Sequence, residues 1–122
     1  MTTQQITQIF SQLATDFQDQ YKVSRETAAH MVGLFASVVA LTGEETQAQD
    51  EFERRITQAF KDGEAWAAEY FEASLETRYP QAATICETAS KVGTSPILAL
   101  QAVYGIEADV ATELARLISR RS

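Results

Sequence analysis

Large apolar side chains recur along this chain at intervals of three and four residues, and no segment sustains the period-two alternation of a strand. Ile6, Ile9, Phe10, Leu13, Phe17 and Tyr21 form one such stripe and predict an amphipathic helix over residues 2–21. Thr2 and Gln5 have capping-box spacing at its start. Ser24 is placed to cap a second helix reaching about residue 41. Its segment Ala28–Leu41 is apolar almost all round, the pattern of a helix covered on most sides and therefore central. Gly43 is a natural stop.

A third helix, residues 44–61, turns Phe52, Ile56, Ala59 and Phe60 to one side. Glu44, Glu45, Asp50, Glu51 and Glu53 crowd its first turns, where the helix dipole favours acid. Asp62-Gly63 breaks the pattern, and Asp62 is placed to cap a fourth helix over 64–78. Phe71 and Leu75 face inward there, with Trp66 and Tyr70 one turn apart on the flank. Pro80 reads as the first residue of a fifth helix, 80–91, with Ile85, Cys86, Ala89 and Val92 inward. Ser95-Pro96 reads as the cap and first residue of a helix over 96–104. Val110, Leu114, Leu117 and Ile118 form the inner face of a last helix over 107–120, and Gly93 and Gly105 separate these three.

The predicted fold is all-α, one domain over 1–122. It is a compact bundle of six or seven helices, longer N-terminal ones and three short C-terminal ones around one core. The expected core is Ile9, Leu13, Phe17, Met31, Leu34, Phe35, Val38, Phe52, Ile56, Phe71, Leu75, Ile85, Val92, Leu98, Leu114 and Leu117.

Composition narrows the function classes. One Cys precludes an internal disulfide and fits a reducing compartment. The longest stretch free of Asp, Glu, Lys and Arg begins at Thr27 and ends before Glu44, short of the ~20 apolar residues of a membrane-spanning helix. The first ten residues show no secretory signal, so a cytoplasmic protein away from membranes is expected. The net charge is −7, and ten acidic against three basic residues between 44 and 76 account for all of it. Such a chain is a poor candidate for coating nucleic acid and a good one for meeting a basic protein surface.

Candidate chemistry is sparse. His30 follows Glu26 by four residues and shares its helix face, but the chain has no second His to complete a zinc or di-iron set. Cys86 has apolar neighbours and no local cysteine-protease signature. The five glycines are isolated, so no phosphate loop is present. No enzyme activity, metal or cofactor is expected. The segment Phe35–Phe60, FASVVALTGEETQAQDEFERRITQAF, resembles the helix–turn–helix of TerB-like tellurite-resistance domains, with Thr42-Gly43 where those have Asp-Gly. The pattern does not recur later, and no activity or ion site is carried over.

The functional expectation is a small acidic interaction module: an adaptor, inhibitor or assembly subunit. It would dock a protein with a basic surface through the helical hairpin 44–76. Trp66 and Tyr70 would anchor, and Glu69, Glu72 and Glu76 would steer. Self-association as a homodimer is compatible with this. One alternative is a helix-turn-helix-like nucleic-acid regulator built on residues 83–121, although PILALQAVY offers no Arg, Lys or Asn to read a base. Another is an acidic nucleic-acid mimic, whose acidic row Arg54 and Arg55 would interrupt.

Overall fold

Helix boundaries follow the chemistry of the residues beside them. The computed structural model describes residues 2–43 and 45–121, the side chains of Glu45 and Thr46 excepted. These residues form α1 (Thr3–Tyr21), α2 (Arg25–Thr42), α3 (Glu45–Lys61), α4 (Ala65–Ala73), α5 (Leu75–Arg78), α6 (Ala82–Lys91), α7 (Pro96–Tyr104) and α8 (Ala108–Arg121). At α1, Thr2 Oγ1 accepts the Gln5 N–H at 3.2 Å and Gln5 Oε1 accepts the Thr2 N–H at 2.8 Å, completing the box. Ser24 Oγ accepts the Thr27 N–H at 3.2 Å, and Ser95 Oγ accepts the Leu98 N–H at 3.4 Å behind Pro96. Gly43 closes α2 with φ +70°, a left-handed geometry that only glycine adopts freely.

Three boundaries differ from expectation. The fourth segment breaks at Ser74, whose hydroxyl donates to the Tyr70 carbonyl at 2.9 Å, so helix α4 ends and the single turn of α5 follows. Glu64, not Asp62, stands at the start of α4, without a side-chain cap bond. Helix α6 begins at Ala82 rather than Pro80, and Tyr104 Oη accepts the Gln81 N–H at 3.0 Å. The expected first residue of the third helix, Glu44, lies outside the described residues.

Helix α1 packs on α2, α2 on α3 and α4, and α3 on α4 and α8. The short helices α6, α7 and α8 pack on one another, and Lys61 ion-pairs with Glu107 between the end of α3 and the approach to α8. Phe17, Phe35 and Phe52 meet at one end of the core, while Phe60 stacks on Phe71 at 4.0 Å. Phe52, Phe60 and Phe71 are fully buried, each worth on the order of 2–3 kcal/mol over exposure.

Three expected core residues are outside: Ile9 at 51% exposure, Val92 at 70% and Leu98 at 62%. Ile9 sits on the half of α1 where every residue from Thr2 to Gln12 is exposed. Val92 lies past the end of α6 with φ −93° and ψ 4°, so its side chain leaves the helical stripe. Helix α7 turns Leu100 inward, which carries Leu98 out. Helix α2 is not covered all round either, since Val39 and Leu41 are exposed near its end.

Candidate docking cleft

The edge where α2 and α4 meet carries most of the polar chemistry. Glu69 meets Ser24 and Thr27 while Trp66 meets His30, so the two helices run antiparallel there. One Glu69 oxygen accepts the Ser24 N–H at 2.6 Å. The other accepts from the Ser24 hydroxyl at 3.0 Å and from the Thr27 hydroxyl. In a capping box a Glu or Gln three residues on would reach back to the cap N–H. That position holds Thr27, and Glu69 supplies the carboxylate from 45 residues away. Burial pushes the Glu69 carboxyl upward, but the bonds from Thr27 and Ser24 outweigh it and hold it below the usual carboxylate value.

Beside this cap lies a cleft of about 310 Å³ lined by Ser24, Glu26, Thr27, His30, Glu64, Ala65, Trp66 and Glu69. The His30 and Trp66 rings stack with centroids 5.7 Å apart and planes within 7°. Trp66 Nε1 donates to Glu64 at 3.3 Å. Three carboxylates thus share the cleft, and no Lys or Arg lines it.

The structure separates the residues expected to act together. Trp66 is half-buried and borders the cleft. Tyr70 is only 3% exposed and belongs to the core, so it presents no anchor to a partner. The inner face of α4 runs through Ala67, Tyr70 and Phe71, a rotation that carries Tyr70 off the flank. Its buried hydroxyl accepts from Arg78 at 2.7 Å, and the Arg78 guanidinium also lies 5.0 Å from the Tyr70 ring centroid. Glu69 is committed to the α2 cap rather than free to steer. Glu72 and Glu76 are exposed and form no ion pair among the described residues.

The acidic hairpin is partly neutralised by its own chain. Glu51 takes hydrogen bonds from Arg54 and Arg55, which hold it at about 2. Glu53 lies 3.7 Å from Arg78. Glu69 and Glu72 share a second small cleft with Arg120 and Arg121, so the C-terminal arginines face acid. Helix α7 turns Leu98 and Val103 outward and half-buries Gln101, which leaves a base edge little to read.

Cys86 is half-buried, and burial pushes its thiol upward, away from the reactive thiolate. Its cleft is lined by Glu87, Ser90, Lys91 and Ile118 among others, not by His30. Among the described residues no group of three His, Cys, Asp or Glu is arranged to hold a metal. No described helix is long and apolar enough to cross a membrane.

Sequence reasoning paired Glu26 with His30 but missed their meeting with Glu64 and Trp66, because that depends on how α4 lies against α2. One local signal existed: Ser24 lacks an acidic residue three positions on, which left its N–H open to an acceptor from elsewhere. No family model, curated protein or solved structure matches this chain.

Proposed function

We propose that this protein is a non-enzymatic interaction module that seats a basic side chain of a protein partner in the α2–α4 cleft. The supporting observation is the cleft itself: Glu26, Glu64 and Glu69 beside the stacked Trp66 and His30, with no basic side chain lining it. In this reading Glu26 and Glu64 receive the cation. Glu69 shapes the wall through its bonds to Ser24 and Thr27. Trp66 covers the apolar stem of the incoming Lys or Arg, a contact worth ~0.5–2 kcal/mol. Exposed Glu72 and Glu76 raise the encounter rate, an effect that salt screens.

Trp66 is the sole tryptophan, so its emission reports on the cleft directly. Titration with a short oligo-arginine peptide at low salt is expected to change that emission. The response should collapse above about 0.15 M salt, where the screening length is about 8 Å. It should also be lost in the Glu26→Gln/Glu64→Gln double variant. Capture from native lysate with both baits completes the test. A stoichiometric partner retained equally by the native chain and the double variant would refute this cleft.

A further inference from the structure

We infer that the first half of α1 is where two copies of this chain meet. The stripe that buries Ala14 and Phe17 continues outward through Phe10, Ile9 and Ile6, and there nothing covers it. Ile6, Ile9 and Phe10 are all more than 40% exposed, on consecutive turns of one helix. An isolated helical segment of this length is marginal in water. Its Thr and Ile residues are weak helix formers, and no charged pair supports it. Among the described residues it meets no packing partner.

The charge pattern favours a second copy as that partner. The whole chain carries −7, yet residues 2–15 contain no Asp, Glu, Lys or Arg. In a two-fold dimer each surface faces itself, so a charged patch repels its own image and a neutral one does not. A basic partner would find no carboxylate there, and an anionic lipid surface would find no cation. The polar side chains fit as well. Gln5, Gln8 and Gln12 flank Ile9 around a shallow surface cleft. Each amide carries both donor and acceptor, so the same face can hydrogen-bond to its own copy.

The test is sedimentation velocity of the full chain across a concentration series, with Ile9→Glu and Ile9→Lys as variants. Ile9 is half-exposed, so both variants should fold, and circular dichroism melts check this. The native chain is expected to dimerise in the micromolar range, as befits a small interface. Each variant should weaken the dimer ~100-fold or more, because an unpaired charge is buried against its image. An equimolar mixture of the two should recover dimer, since carboxylate then meets ammonium across the interface. A native chain that stays monomeric at every concentration overturns the inference. So does a dimer that persists in both folded variants, or a mixture that stays monomeric.

Discussion

Glu69→Ala is expected to unfasten the start of α2. The carboxylate accepts the Ser24 N–H at 2.6 Å, the Ser24 hydroxyl at 3.0 Å and the Thr27 hydroxyl. Ser24 is exposed, so water takes over the bond from its hydroxyl. Thr27 is buried, and its hydroxyl loses its acceptor, a penalty of ~1–3 kcal/mol. A charge-assisted bond to the cap N–H adds ~1 kcal/mol, typical of a lost helix cap. The sum is about 2–4 kcal/mol. Unfolding entropy of ~2.1 cal/mol/K per residue converts this to a Tm lower by about 8–16 °C. Thermal melts followed by circular dichroism read it, with exposed Glu72→Ala as a control expected within about 2 °C of the parent.

The same carboxylate predicts a pH dependence. Its folded pKa is lowered, because bonds from Thr27 and Ser24 outweigh the upward push of burial. Stability from such a group is fully present above the unfolded value of ~4.3 and is lost as pH falls through the folded one. The gap between parent and Glu69→Ala should therefore narrow as pH drops through the carboxylate range. A Tm loss under about 3 °C at neutral pH, or a gap that widens on acidification, would refute the cap.

Arg78→Met should cost ~2 kcal/mol, seen as a lower urea midpoint, because it strands the buried Tyr70 hydroxyl and removes the cation from the Tyr70 and Phe71 rings. Adding Tyr70→Phe should recover part of that loss, and strict additivity of the two changes would count against the contact. Gly105→Ala should destabilise by ~1 kcal/mol through left-handed strain alone, since φ is +64° and nothing lies within 4 Å of an added Cβ. Gly33→Ala, mid-helix with the same open space, should instead stabilise by ~0.5–1 kcal/mol; equal signs for the two would defeat this reasoning. Burial chiefly holds the Tyr21, Tyr70 and Tyr79 protons above the ordinary tyrosine value. Their contribution to stability is present below ~10 and lost as pH rises through the folded values. Phenolate absorbance of the folded chain rising in a single step near ~10 would show the burial to be wrong.

Several helix ends that rest on bonds within one turn were determined by the sequence alone, although the break at Ser74 and the starts of α4 and α6 were not. Thr2 with Gln5, Ser24 with Thr27, Ser95 with Leu98 and the stop at Gly43 are bonds and dihedrals of one helical turn, and each is readable in place. So is the all-α class, because a 3.6-residue period survives any arrangement of the helices. Tertiary structure alone decided which side of each stripe met the core. Periodicity marks an apolar face about 100° wide but not its rotation. Packing of α4 against α2 and α3 turned Tyr70 inward and left Trp66 at the edge. The same limit put Ile9 and Leu98 outside, since a stripe does not reveal where its neighbours end. Glu69 marks the boundary most clearly: its sequence position reads as a solvated acid, and only the approach of α4 makes it the cap of α2. Local bonds are set by the chain's own covalent neighbours, whereas burial and long-range caps are properties of pairs of helices.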